Sequence, residues 1–180
     1  MKKVQLLLTS FLLLFMLVTP SLTVEASSVQ KHYYVSLGDS LAAGQTPYRT
    51  MDKGYPHLLA DILESNNSLV QFHGEFAVSG YTMENILADI VNDVKKKDSS
   101  LRIQQALEKA TLITINGGAN DLFQFINPYQ VDFNLKPSNL QKRYDEVREN
   151  LNEVIIEIRK INPDADIYVL GYYHAFPHLN

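Results

Sequence analysis

Cysteine is absent from this chain of 180 residues. That excludes disulfides, a thiol nucleophile and a lipid-modified amino-terminal cysteine. It fits an exported protein that folds without oxidation. An excess of positive charge is absent too, since the formal net charge is −4. The one basic run, Lys95-Lys96-Lys97, reads as a solvated helix end, where lysines complement the negative pole of the dipole. With no basic face, nucleic acid is not an expected partner. No internal repeat or low-complexity tract is visible after the leader, and no metal-ligand cluster stands out. Long apolar runs are limited to Val4–Val18, broken by Gln5, Thr9 and Ser10. This run is short of the about 20 residues that span a bilayer.

The run follows Met1-Lys2-Lys3 and precedes Pro20 and the small-residue site Val24-Glu25-Ala26. That is the layout of a secretory signal peptide over residues 1–26, cleaved after Ala26. The expectation is a secreted protein with no stable membrane span after cleavage. Residues 27–180 suffice for one domain with its own core. Losing Lys2, Lys3 and Glu25 moves the charge from −4 to −5.

Within that domain, strands are expected at Tyr33–Leu37, Leu69–Phe76, Leu112–Ile115 and Ile167–Tyr172, on their apolar content. Gly44–Gly54 reads as a loop. A helix over Tyr55–Glu64 carries Tyr55, Leu58, Leu59 and Ile62 at helical spacing. Thr82 reads as the cap of a helix reaching about Val94, with Met83, Ile86, Leu87, Ile90 and Val91 on one side. Ser99 or Ser100 is expected to cap a shorter helix through Leu107. The longest helix, Ser138–Ile161, presents Leu140, Tyr144, Val147, Leu151, Val154, Ile155 and Ile158. The order β-α-β-α-α-β-α-β implies a parallel sheet with right-handed crossovers and helices on both faces.

Three polar turns each follow a strand: Gly38-Asp39-Ser40, Ser79-Gly80 and Gly118-Ala119-Asn120-Asp121. In a parallel sheet they share one edge, where ligands bind. Acyl transfer by a serine needs such convergence, because the tetrahedral oxyanion requires preorganised donors about 3 Å away. Ser40 at a helix start offers its own amide. Gly80 offers another without side-chain obstruction, and Asn120 offers its side-chain amide. Taken singly, Ser40 also reads as a helix cap, Gly80 as a positive-φ turn and Asn120 as a turn former. The stretch is not a Gly-x-Ser-x-Gly elbow, because Leu41 and Ala42 follow the serine.

Together the three turns resemble those of the SGNH, or GDSL, hydrolases. Gly38-Asp39-Ser40-Leu41 resembles block I, Gly80 the block II glycine, and Gly118-Ala119-Asn120-Asp121 the block III Gly-x-Asn-Asp. The resemblance runs from Tyr33 to about Pro177. It implies an α/β, flavodoxin-like three-layer α/β/α fold with a parallel sheet, and a GDSL-type serine esterase or lipase working through an acyl-serine. Ser40 is then the nucleophile, and the Ser40 and Gly80 amides with the Asn120 side chain form the oxyanion hole. Asp39 and Asp121 brace the turns. The resemblance implies no metal and no cofactor, and a small ester or lipid as substrate.

One block is missing. The family completes its triad with Asp-x-x-His near the carboxyl end, after a fifth strand, and these 180 residues contain no Asp-x-x-His. His174 has Gly171 three places earlier and His178 has Ala175. His32 precedes strand one, His57 lies on the first helix and His73 in strand two, so each reads as structural or solvated. His174 alone is placed to act as a substitute base. The expectation is a domain incomplete at its carboxyl end, lacking the last strand and helix and impaired in catalysis. Phe123, Phe125, Tyr129 and Phe133, with Tyr172, Tyr173 and Phe176, either line an apolar acyl slot or pack as core. The rival reading is a non-catalytic ester- or glycan-binding protein on the same fold. Phosphate binding at the Asp39-Ser40 turn fits less well, since the aspartate repels phosphate and Asn120 goes unused.

Overall fold

The computed structural model describes residues 29–123 and 137–172. Its axis is β1, His32–Gly38, whose last five residues are buried. Parallel neighbours flank it: β2, Leu69–His73, on one side and β3, Leu112–Asn116, on the other. β4, Asp166–Leu170, pairs in parallel with β3, so the order is β2-β1-β3-β4. β3 is buried at all five positions, as its unbroken apolar content requires of a strand covered on both faces. The connecting elements are α1 (Ser40–Ala43), α2 (Tyr55–Ser65), α3 (Met83–Val91), α4 (Ile103–Lys109), α5 (Ala119–Phe123) and α6 (Pro137–Ile161). The helix start expected at Ser40 is the four-residue α1, and the five-residue α5 stands where the sequence suggests only a turn.

Strand alternation sorts side chains into two layers. Val35, Leu37, Ile113 and Ile115 meet Met83, Ile86 and Ile90 of α3, Ile103 and Leu107 of α4, and Val154 and Ile158 of α6. Burying each such side chain contributes about 1.5–3 kcal/mol, so this layer carries most of the hydrophobic stabilisation. The opposite layer is smaller: Tyr34 and Leu112 with Ala60, Leu59 and Leu63 of α2, and Leu69 and Phe72 of β2. It reaches only the β2–β1–β3 part of that face, and Tyr168 on β4 is 59% exposed. A groove of about 440 Å³ runs there between Tyr55, Leu59, Leu112, Thr114, Tyr168 and Leu170. Among the described residues no helix is long and apolar enough to cross a membrane.

Several expected details differ. On α2 the buried side runs through Pro56 and Ala60, with Leu59 and Leu63 packed beside them. Leu58 and Ile62 are left 53% and 55% exposed. The helix holds two apolar stripes, and the one containing small Ala60 brings it closer to the sheet. Val91 on α3 and Tyr144 on α6 are also exposed, at the margins of their stripes. β2 stops at His73 because residues 74–77 form a turn closed by Ala77 N–H donating to Gly74 O (3.1 Å). Thr82 caps α3, accepting from Asn85 N–H (3.2 Å), but that helix ends at Val91. α4 begins at Ile103, with Arg102 N–H bonded to the Gln105 side chain (3.0 Å), and Ser99 instead accepts from Leu101 N–H (3.2 Å). The β4 ladder ends at Leu170.

Lys96 is not a solvated helix end. Its ammonium donates to Asp89 and to the Tyr81 hydroxyl (2.7 Å), and stands 4.7 Å from the Tyr81 ring centroid. The leader, Phe125, Tyr129, Phe133, Tyr173, His174, Phe176 and His178 lie outside the described residues, as do the side chains of Phe123 and Leu140.

The long helix is stitched to the sheet by Asn162. Its buried amide donates to Leu107 O (2.9 Å), Glu108 O (3.2 Å) and Ala110 O (2.8 Å), and its oxygen accepts from Asp164 N–H and Ala165 N–H (both 3.1 Å). Replacing it strands several buried backbone groups, each costing about 1–3 kcal/mol. Asn162→Ala should therefore lower the unfolding free energy by about 3 kcal/mol, read as a lower urea midpoint at unchanged slope.

Candidate active site

The site grows from the carboxyl ends of β1 and β3. These neighbours send their connections to opposite faces, β1 to α2 and β3 to α6, so the sheet order reverses between them. A crevice opens at such a point in an open α/β sheet. Gly38 lets the two strand ends touch: a Cβ there would lie 2.6 Å from Asn116 O and 2.8 Å from the Ala42 Cβ. Asp39 N–H donates to that same Asn116 O (3.1 Å).

The chain then turns into α1. Asp39 is its N-cap, with Oδ1 accepting from Leu41 N–H (3.0 Å). Ser40 is the first helical residue, partly exposed at the mouth of the strand end. The second turn lies alongside. Val78 N–H donates to Gly38 O (2.9 Å), and Ala77 bridges to Gly38 in parallel register. Ser79 donates its hydroxyl to the Gln45 side chain, which tethers this turn to the segment after α1. Gly80 has φ +84, a left-handed conformation that favours glycine. It faces open space, with no atom within 4 Å of where a Cβ would stand.

The third turn is tied to the second. Asn120 donates through Nδ2 to Tyr81 O (2.8 Å), and Asp121 accepts from Met83 N–H with both carboxylate oxygens (3.2 and 3.1 Å). Met83 opens α3, so Asp121 also meets the positive end of a helix. Burial raises the Asp121 pKa, and the charges of Glu84 and Asp39 add to the rise while the Met83 amide opposes it. A link between the first and third turns comes from Tyr172, just past β4. Its hydroxyl donates to Asp39 Oδ2 and accepts from Ala119 N–H (3.2 Å).

Ser40, Gly80 and Asn120 thus belong to three turns held in mutual contact. Among the described residues, the Ser40 and Gly80 amides donate to no acceptor. Asn120 spends one amide hydrogen on Tyr81 and keeps the other. The arrangement presents three hydrogen-bond donors with no acceptor among them. Ser40 Oγ has no hydrogen-bond partner among these residues. His32 stands at the opposite end of β1. His57 packs edge-on to Phe72 at 5.3 Å. His73 is 3% exposed and bonds Tyr33 OH (3.0 Å) and Glu75 Oε1 (2.8 Å). None of the three contacts Ser40. No group of three or more potential metal ligands occurs among the described residues.

Sequence reasoning grouped Tyr172 with an apolar slot and missed its polar role, because nothing in the pattern distinguishes a phenol that packs from one that bonds. Gln45 and the Tyr81 carbonyl were also missed. Both lie in loops that the motif spacing does not reach.

Three linked strand-end turns on a parallel sheet bring a serine and unspent hydrogen-bond donors to one edge. The family model described as GDSL-like Lipase/Acylhydrolase matches residues 36–180, and the chain belongs to that family. The fold is that of SGNH hydrolases. A lipase from a goat rumen metagenome, Lip_vut3, superposes with a TM-score of 0.58 at 25% identity, over 80% of this chain and 65% of that one. AlinE4, an SGNH-hydrolase family esterase, superposes with a TM-score of 0.51 at 22% identity, over 77% of this chain and 58% of that one. The chain therefore spans less than two thirds of the length of either. Curated protein sequences give no match.

The His73–Glu75 pair leads into the Ser79-Gly80 turn. Burial pushes the Glu75 pKa up, but hydrogen bonds from His73 and Ser99 and the charge of His73 outweigh it, and the net shift is downward. A carboxylate depressed in the fold stabilises fully above its unfolded pKa, and loses that contribution as pH falls through the folded value. The stability gap between the parent and Glu75→Gln should therefore be widest near neutral pH. It should shrink below about pH 4.5 and close once the carboxyl is protonated in both states. Thermal midpoints measured across that range check this; a gap independent of pH contradicts it.

Proposed function

We propose that the chain is a secreted serine hydrolase that cleaves small carboxylic or lipid esters through an acyl-serine, with Ser40 as nucleophile. The observation that carries the reading is the set of unspent donors on the three linked turns: the Ser40 amide, the Gly80 amide and the second amide hydrogen of Asn120. Attack of Ser40 Oγ on the ester carbonyl turns the carbonyl oxygen into an oxyanion, which these three donors stabilise. Collapse of the tetrahedral intermediate breaks the ester C–O bond and releases the alcohol. Water then attacks the acyl-serine through the same intermediate geometry and releases the acid. Each such donor is worth about 10²–10³ in kcat. Secretion rests on the leader of residues 1–26, and ester chemistry on family membership and on the lipase to which the chain is similar.

Ser40 also needs a proton acceptor. His32, His57 and His73 are all placed elsewhere, and the 180 residues contain no Asp-x-x-His. The proposal is an oxyanion hole formed on these turns, with no base for Ser40 among the described residues. Produced by themselves, these 180 residues should hydrolyse a short p-nitrophenyl ester only about 10³-fold faster than water does. After subtraction of the rate with imidazole alone, added imidazole should raise the rate in the parent chain and not in Ser40→Ala. Asn120→Ala should lower the imidazole-supported rate by about 10²-fold. Equal rates in parent and Ser40→Ala at every imidazole concentration would instead indicate an ester- or glycan-binding protein. Turnover of about 10 s⁻¹ without imidazole, ordinary for an enzyme, would overturn the missing base, and loss of that turnover in His174→Ala would locate it.

A further inference from the structure

We propose that Tyr172 is a positioning residue whose hydroxyl clamps the Ser40 turn to the Asn120 turn. It stands 133 residues from Asp39 in sequence, at the carboxyl end of β4. Its hydroxyl carries one proton. Because the Ala119 amide donates into the phenolic oxygen (3.2 Å), that proton is committed to Asp39 Oδ2. The other Asp39 oxygen accepts from Leu41 N–H (3.0 Å). The carboxylate is therefore held at both ends, and Ser40 lies between the capping residue and the capped amide.

On the other side, Ala119 is the first residue of α5 and immediately precedes Asn120. One hydroxyl thus fixes the start of both short helices that present donors to the site. The polarity of the link is unambiguous: amide to phenol to carboxylate, each group in its strongest role. With the phenol in place Asp39 is 1% exposed. Burial and the neighbouring Asp39 charge push the Tyr172 pKa well up, so the hydroxyl stays a donor across the working pH range.

α1 and α5 are four and five residues long, too short to hold their own geometry. Donor direction at Ser40 and Asn120 then depends on what ties their ends. Tyr172 supplies that tie without touching the reacting atoms, which makes it a positioning residue rather than a catalytic one.

The test is Tyr172→Phe in the full chain, which removes the hydroxyl and keeps the ring. Amide hydrogen exchange by NMR should quicken at Ala119 and at Leu41 by about tenfold, the worth of one hydrogen bond. The β3 amides of Ile113 and Ile115 should keep their protection, which shows that the fold is intact. Unchanged exchange at both Ala119 and Leu41 would overturn the clamp. This arm does not depend on any activity. The kinetic arm rests on the hydrolase reading above. There the imidazole-supported, Ser40-dependent kcat should fall about tenfold with KM within about twofold. In an Asn120→Ala background the same substitution should cost less than about threefold, because the donor being positioned is gone. Equal losses in the two backgrounds, or a change in KM alone, would also overturn the clamp. An inert parent chain would overturn the hydrolase reading and leave exchange to decide the clamp.

Discussion

The site depends on one close approach. At Gly38 the backbone of β1 comes so near to β3 that a single methyl group would overlap Asn116 O at 2.6 Å. Several contacts of the first turn run through that junction. Asp39 reaches Asn116 with its amide, Val78 reaches Gly38 O, and α1 starts one residue later. Were the strand ends splayed by a side chain, the Ser40 turn would move away from both other turns at once. The absence of a Cβ matters here for space, whereas at Gly80 it matters for a left-handed φ with open space beyond.

Two of the turns share one kind of bond, a backbone amide held by an acidic side chain. Asp39 takes the Leu41 amide and Asp121 takes the Met83 amide. Each spends a carboxylate on a helix start, and each leaves the neighbouring donor unspent: Ser40 beside Asp39, Asn120 beside Asp121. A charged acceptor strengthens such a bond roughly twofold over a neutral one. The two aspartates are near enough to feel each other, since the charge of Asp39 contributes to the upward shift of Asp121. Neutral donors from Tyr172 and Met83 temper that repulsion without bringing a cation into the site.

Much of this was legible in the residues. β1 and β3 read as strands because their apolar runs are nearly continuous, and burial on both faces is what such runs require. The positions of Ser40, Gly80 and Asn120 at one sheet edge follow from parallel topology alone. Less legible was anything decided by competition between similar options. α2 had two apolar stripes, and the sheet accepted the one with Ala60 rather than the one with Leu58 and Ile62. Lys96 looked like a solvent-facing member of a basic run, but Asp89 and Tyr81, far enough away to be invisible to local pattern, draw it in. Tyr172 is the extreme case, because its partners at Asp39 and Ala119 are brought to it only by the β1-β3-β4 strand order.

Stabilising an oxyanion and activating a hydroxyl are separable tasks, and in the proposed reading they draw on different parts of the fold. The donors come from backbone geometry at the β1–β3 junction and from one side-chain amide that a carbonyl holds in place. They need only that three turns keep their distances, and strand pairing provides most of that. A general base must meet Ser40 Oγ with a lone pair, at hydrogen-bond distance, from an imidazole that is not otherwise engaged. Among the described histidines, His73 fails on the last count, with one ring nitrogen facing Tyr33 and the other Glu75. His32 fails on place, at the wrong end of β1. The half of that proposed chemistry assigned to β1, β3 and their turns is the half that a rigid sheet supplies well. The other half requires a side chain that reaches the same edge from a different part of the fold.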